Sequence, residues 1–438
     1  MLMNIKGFVE HKKEHLVTWR RQFHQYPEVG WTEFVTTYKI HQTLTSLGFK
    51  DIHVGKEALS SDTRMGVPPA HVLKEEEERA LSEGVPSSFL ERMEGGHTGL
   101  VATLDSGKKG PHIALRFDID ALPITESESH EHYPSRIGFA STRTGQMHAC
   151  AHDGHTAIGL GVASFLAEHI EQLQGRYTLL FQPAEEGSRG AKSMVQKGWL
   201  DEVDFFLSGH IGVHFDRSVG DVSATSGGFL ATTKCDASFK GISAHAGKAP
   251  EKGKNALLAA ATASIHLHGI SRHGDGKTRV NVGTLHAGSG RNIIPEKAEI
   301  QLETRGATVE LNQYMVSEAE RIIQASAALH DVEATIEIVG DGVDATSDEW
   351  FIPLIEQVAV KSDLIQNVIP KDVIGASEDA AYMINRVQER GGKATYLIFG
   401  TPLANGHHHS EFDYQEDVLS VAVDVLVRAI SELQGNEV

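Results

Sequence analysis

Five short apolar runs, at residues 100–104, 112–117, 177–181, 203–207 and 394–399, alternate with turn-prone or helical stretches along the chain. Runs of this length read as strands, and the sequence between them has helical spacing. At 156–173 the apolar positions 158, 162, 165, 166 and 170 share one helix face, and Gly175 stops it. Residues 6–47 show the same spacing, broken at Tyr26-Pro27 and closed by Gly48, as do residues 415–433. Strands alternating with helices predict an α/β fold with a mainly parallel sheet.

The middle of the chain departs from that alternation. Residues 234–240 read as strand, 255–270 as helix, 279–285 and 298–303 as alternating strands, 309–329 as helix and 332–339 as strand. The order β-α-β-β-α-β is the ferredoxin-like signature. A compact unit at 228–341 is therefore expected inside an α/β unit made of residues 1–227 and 342–438. The 438 residues suffice for two cores. A charged stretch, Lys74-Glu-Glu-Glu-Glu-Arg79 within 73–84, reads as a solvated helix face.

The formal net charge of -19 excludes a nucleic-acid or anionic-membrane partner, because no basic excess exists to neutralise phosphates. No run approaches the ~18 apolar residues that a membrane span requires. Residues 1–10 carry no apolar core after Lys6, so the cytoplasm is the expected location. The two cysteines, Cys150 and Cys235, exclude a disulfide framework, while 25 histidines, several of them clustered, favour a metal site.

His148-Ala-Cys-Ala-His-Asp-Gly-His155 concentrates imidazoles, a thiol and a carboxylate. Cys150 and His152 are two apart, which suits convergence from a loop ahead of the 156–173 helix better than one helix face. A polar helix N-terminus capped by Asp153 is the plainer reading. Gln182-Pro-Ala-Glu-Glu-Gly187 follows an apolar strand directly. Its adjacent carboxylates need compensating charge if they are buried, and one can bind metal while its neighbour moves protons. A solvated acidic turn is the plainer reading there. His210 follows the 203–207 strand, and His407-His-His409 follows 394–399. All of these groups fall at or just beyond the C-terminal end of a strand, or in a loop on that side, where open α/β sheets bind ligands. Imidazole, thiolate and carboxylate donors together suit Zn2+ or Mn2+.

Several segments resemble the amidohydrolase branch of metallopeptidase family M20. They are Arg20-Arg-Gln-Phe-His-Gln-Tyr-Pro-Glu-Val-Gly30, Arg116-Phe-Asp-Ile-Asp-Ala-Leu-Pro123, His148 to His155 and Gln182 to Gly187. Ser243-Ala-His-Ala-Gly247, Gly290-Arg-Asn-Ile-Ile-Pro295 and Gly375-Ala-Ser-Glu-Asp-Ala380 continue the resemblance in order along the chain. The resemblance implies two divalent ions per protomer, Mn2+ or Zn2+, held by Cys150, His152, Glu186, His210 and one of His407, His408 and His409. Within that run the family's His-x-x-x-Phe/Tyr-Asp pattern, matched to Phe412, falls on His408, so the resemblance implies His408. It implies Glu185 as the catalytic base, His245 as a residue reaching substrate across a dimer interface, and Asn292 and Arg305 as contacts to the substrate carboxylate. Two departures stand out. Ala151 replaces the usual glycine of Cys-Gly-His, and Arg116 replaces the histidine of the wider family's His-x-Asp.

The insert at 57–96 resembles that of branch members acting on p-aminobenzoyl-glutamate, which makes this amide the expected substrate. Hippurate, indole-acetyl and N-acetyl amino acids remain alternatives, as does a chain serving mainly in assembly. The expected assembly is a homodimer, or a heterodimer with a paralogous second chain.

Overall fold

The computed structural model describes residues 3–434. Residues 1, 2 and 435–438, the outer ends of the two expected α/β segments, lie outside the described residues. The five apolar runs form Leu100–Asp105, His112–Asp118, Arg176–Gln182, Phe205–Ile211 and Lys393–Phe399. They belong to one eight-stranded sheet, in which Asp51–Val54 forms one edge and Asn367–Ile369 the other.

That sheet is mixed, which corrects the expectation of a mainly parallel one. Its centre, Arg176–Gln182 beside His112–Asp118, Phe205–Ile211 and Lys393–Phe399, is parallel. Asp51–Val54 and Leu100–Asp105 run antiparallel to their neighbours, and Lys393–Phe399 is antiparallel to Asp221–Ser223. The short 106–111 connection explains part of this, since a parallel crossover needs a dozen or more residues and a shorter link must reverse the chain.

Alternate strand residues point to opposite faces and so feed two cores. Leu115, Phe117, Leu207 and Phe399 pack with the helices Ile5–Gln25, His152–His169 and Asp417–Leu433. Ala114, Leu180, Phe206 and Ile398 pack with Ala191–Gln196 and Ala381–Glu389 on the other face. Helices therefore cover both sides of the sheet.

A second sheet has the order Glu333–Gly342, Ala231–Lys240, Lys297–Gly306, Thr278–Ala287, with every pairing antiparallel. Its own core, with Cys235, Phe239, Ile300 and Met315, lies beneath the helices Ala256–His268 and Val309–Leu329. The charged stretch folds as the helix Ala70–Ser82 but is not simply solvated. Arg79 reaches the buried Glu28 at 2.8 Å, and Glu28 accepts the N–H groups of Val35 and Thr36 at the start of Phe34–Ser46. Among the described residues no helix is long and apolar enough to cross a membrane.

Candidate metal centre

The candidate centre lies where the parallel strands end and the second sheet faces them. His152 opens the His152–His169 helix, earlier than the expected start at 156, so it projects from a first helical turn rather than a loop. Ala151, the residue before it, adopts φ +66 without the glycine that usually supports this conformation. Asp153 is not the helix cap. Its carboxylate instead receives Arg20 at 3.0 Å, His24 at 2.8 Å and the Tyr414 hydroxyl at 3.2 Å, all inside the core. His210 also differs from expectation. The strand Phe205–Ile211 extends through it, because Lys393–Phe399 pairs with that strand as far as Ile211.

Glu185 and Glu186 are held by their backbone. Asp120 accepts the Glu185 N–H at 3.1 Å and the Glu186 N–H at 3.0 Å on different oxygens. Glu33 accepts the N–H of Ala184 at 2.8 Å, fixing the residue before Glu185 at φ +50. Burial and the nearby Asp120 raise the Glu33 carboxyl to about 8. His152 Nδ1 lies 2.9 Å from the Asp120 carbonyl, which leaves Nε2 facing the centre. That Nε2 is buried and has no hydrogen-bond partner.

Two donor triads share one residue. Cys150, His152 and His210 converge, and so do Cys150, Glu186 and His408. Cys150 Sγ lies 3.6 Å from His210 Nε2. His408 Nε2 lies 3.2 Å from Glu186 Oε1, within range to pair by charge but out of line for a hydrogen bond. The carboxylates also gather separately as Glu185, Glu378 and Asp379. This donor set fits divalent cations: His152 Nε2 and Glu186 Oε1 are buried without a hydrogen-bond partner, and thiolate, imidazole and carboxylate form a borderline set. Burial, and then Glu186, push the Cys150 thiol well above its ordinary range. A bound cation would reverse that preference, because the thiolate is the metal-binding form.

Among the three consecutive histidines, only His408 joins a donor triad. His407 turns its Nε2 to the carbonyl of Gly212 and its ring to His210, and burial lowers its imidazole to about 4. His409 accepts the N–H of Glu411 at 3.1 Å. Burial, and then Glu378 and Glu186, hold the Glu185 carboxyl well above the usual range. Arg116 fills the position of the missing histidine ligand with a buried cation. It pairs with Asp118 at 2.7 Å, Glu378 at 3.0 Å and Asp379 at 3.1 Å.

Cys150, Glu185, Glu186, His210 and His408 thus line one cavity of about 450 Å3, whose opposite wall includes Arg305, and the buried His152 places its donor beside those of Cys150 and His210 and beside those of Glu185 and Glu186. The structure does not bring His245 or Asn292 there. Both are exposed, and they sit side by side in a corner where the Ala246 N–H meets the Asn292 carbonyl at 3.0 Å. Sequence reasoning missed Asp120, Glu33, Glu378 and Lys234. The first lies inside the Arg116 to Pro123 segment and Glu378 inside Gly375 to Ala380, so both were visible as motif members without a role.

The family model of peptidase family M20/M25/M40 matches residues 114–432, the span that carries these donors, and the chain belongs to that family. It is a hydrolase of the M20 type. The chain is 45% identical over 426 residues to one of the subunits of p-aminobenzoyl-glutamate hydrolase of Escherichia coli, covering 97% of both chains. It is 43% identical to the indole-3-acetyl-aspartic acid hydrolase of Enterobacter agglomerans, covering 96% of each. Among solved structures, the aminobenzoyl-glutamate utilization protein of Klebsiella pneumoniae superposes with a TM-score of 0.83 at 36% identity, covering 100% of both chains.

Proposed function

We propose that the protein hydrolyses the amide bond of p-aminobenzoyl-glutamate, giving p-aminobenzoate and glutamate. The observation that carries this reading is the placement of Glu185 against the two donor triads that share Cys150. The two relatives, each named for an amide of a dicarboxylic amino acid, point to the substrate.

Cys150, His152, Glu186, His210 and His408 would hold two divalent ions, Mn2+ or Zn2+. When bound, such ions supply Lewis-acid polarisation of the amide carbonyl and make water more acidic. Glu185 takes the proton of the attacking water and later delivers it to the leaving nitrogen. Asp120 keeps the Glu185 backbone in place while this happens. Arg305 receives the α-carboxylate of the amino-acid portion.

Residues 1–227 and 342–438 form the metal-binding unit in this reading, and 228–341 form an inserted ferredoxin-like unit through which two protomers pair. His245 and Asn292 then serve the neighbouring protomer's cavity, with His245 stabilising the developing oxyanion. The assembly is a homodimer, or a heterodimer with a paralogous second chain, and the site of action is the cytoplasm.

The test is hydrolysis by the purified chain, with Mn2+, Zn2+ or chelator, of p-aminobenzoyl-glutamate against indole-3-acetyl-aspartate, hippurate and N-acetyl amino acids. The reading expects metal-dependent turnover with p-aminobenzoyl-glutamate preferred. It also expects Glu185→Gln to lose at least ~10²-fold in rate, as for a missing general base. Faster turnover of another amide would reassign the substrate, and full activity of Glu185→Gln would overturn the mechanism.

A further inference from the structure

The wall of the cavity opposite the metal donors belongs to the second sheet, and it carries two cations. Lys234 stands opposite Glu303 across paired strands, and Thr232 stands opposite Arg305. Directly opposed residues share a face, so Lys234, Glu303 and Arg305 all project from the side turned away from Cys235, Leu302 and the helices. All three line the cavity.

Their electrostatic situations differ. Arg305 donates to both oxygens of Glu303, at 3.0 and 3.1 Å, so Glu303 is already engaged. The Lys234 ammonium forms no hydrogen bond or ion pair among the described residues. Burial lowers it from the ordinary lysine range, Glu303 favours its charge, and Arg305 opposes it. A half-buried ammonium without a close counter-ion is costly unless an anion arrives to pair with it. The cavity thus offers two cationic positions, diagonal neighbours about 7–8 Å apart at their stems. An amino acid with one carboxylate occupies only one of them.

We propose that Lys234 is the residue that selects dicarboxylic substrates: it receives the side-chain carboxylate of an N-acyl glutamate or aspartate while Arg305 receives the α-carboxylate. This rests on the proposed amide hydrolysis for its orientation of the substrate. The competing role for Lys234 is to balance the charge of Glu185 and Glu186, which would affect every ligand alike.

Binding separates the two roles. Calorimetry on metal-loaded Glu185→Gln protein, which holds its ligands uncleaved, gives the dissociation constants of p-aminobenzoyl-glutamate and its neutral γ-amide, p-aminobenzoyl-glutamine. With Lys234 present the glutamate ligand is expected to bind about 10- to 100-fold tighter, the range of one hydrogen bond to a charged group. Lys234→Met should remove that preference by weakening the glutamate ligand alone, with metal content and thermal midpoint held. Lys234→Arg should retain most of the preference. A preference that survives Lys234→Met, equal weakening of both ligands, or no preference at the outset overturns the assignment. Wild-type protein that binds with the expected preference but hydrolyses neither compound would instead overturn the proposed activity and leave the role of Lys234 standing. Failure of both ligands to bind would overturn both.

Discussion

Asp120 accepts the backbone N–H of Glu185 at 3.1 Å, and with its other oxygen it holds Glu186 in the same way. The first of those oxygens also lies 3.3 Å from His152 Nδ1. One buried carboxylate therefore orients the proposed base and two proposed metal ligands. Asp120→Asn keeps the size but turns its NH2 toward one of the two backbone donors, replacing that charge-assisted bond with a repulsion and leaving the other N–H a neutral acceptor. Such bonds contribute about 1.5–3 kcal/mol each, so kcat should fall about 10- to 100-fold with KM little changed and the fold intact by circular dichroism. Unchanged kcat would show that Asp120 does not set the geometry of the base.

Cys150 and Cys235 provide a matched pair. Cys150 belongs to both donor triads, whereas Cys235 is packed in the core of the second sheet. Cys150→Ala is expected to lose bound metal, measured by elemental analysis after dialysis, together with activity. Metal binding by the wild type should tighten as pH rises, because a thiolate must form. Cys235→Ala removes a small buried group and should cost about 1 kcal/mol of stability with full metal content. Equal metal content in the two variants would remove Cys150 from the ligand set.

Much of this was legible in the sequence because strands and donors keep fixed relations along the chain. The five apolar runs were found because buried strands need uninterrupted apolar residues, and the donor motifs sit at their ends. The mixed sheet was not legible, since strand direction depends on how far a connection can reach across space. The start of the helix at His152 was hidden because its N-terminus has no capping side chain, only Ala151 in a left-handed conformation. Lys234 was invisible for another reason. A lysine in an alternating strand reads as a solvent-facing residue, and it becomes a cavity residue only when two distant sheets face each other. Arg20, His24 and Asp153 were all inside recognisable motifs, yet only the fold reveals that they form one buried network.

That network predicts a pH dependence of stability. Burial alone would depress the His24 imidazole, but hydrogen bonds to Asp153 and Glu126 outweigh it and raise it to about 9. Burial would likewise raise the Glu126 carboxyl, but hydrogen bonds from His132 and His24 lower it to about 2. The contribution of His24 is complete below its unfolded value of about 6.5 and disappears as pH rises through about 9. That of Glu126 is complete above about 4.3 and disappears as pH falls toward about 2. Calorimetric midpoints should therefore be highest between about pH 5 and 6.5. His24→Gln should lower that plateau and flatten the decline between about pH 6.5 and 9. A variant whose alkaline decline runs parallel to that of the wild type would show that His24 is not the titrating group.

His245 and Asn292 face solvent at one corner of the second sheet, away from the donors of their own chain. If the inserted unit pairs two protomers, that corner can reach the neighbour's cavity, and the active site is shared. Complementation tests this directly. His245→Ala and Glu185→Gln chains are each expected to be inactive as pure dimers. In a mixed dimer with sharing, one site combines both lesions and the other has neither, so activity returns. At random exchange of equal amounts, half of the dimers are mixed and each carries one intact site, so about a quarter of wild-type activity is expected. If His245 serves its own chain, every site keeps one lesion and the mixture stays inactive, with exchange verified by mass spectrometry of differently labelled chains.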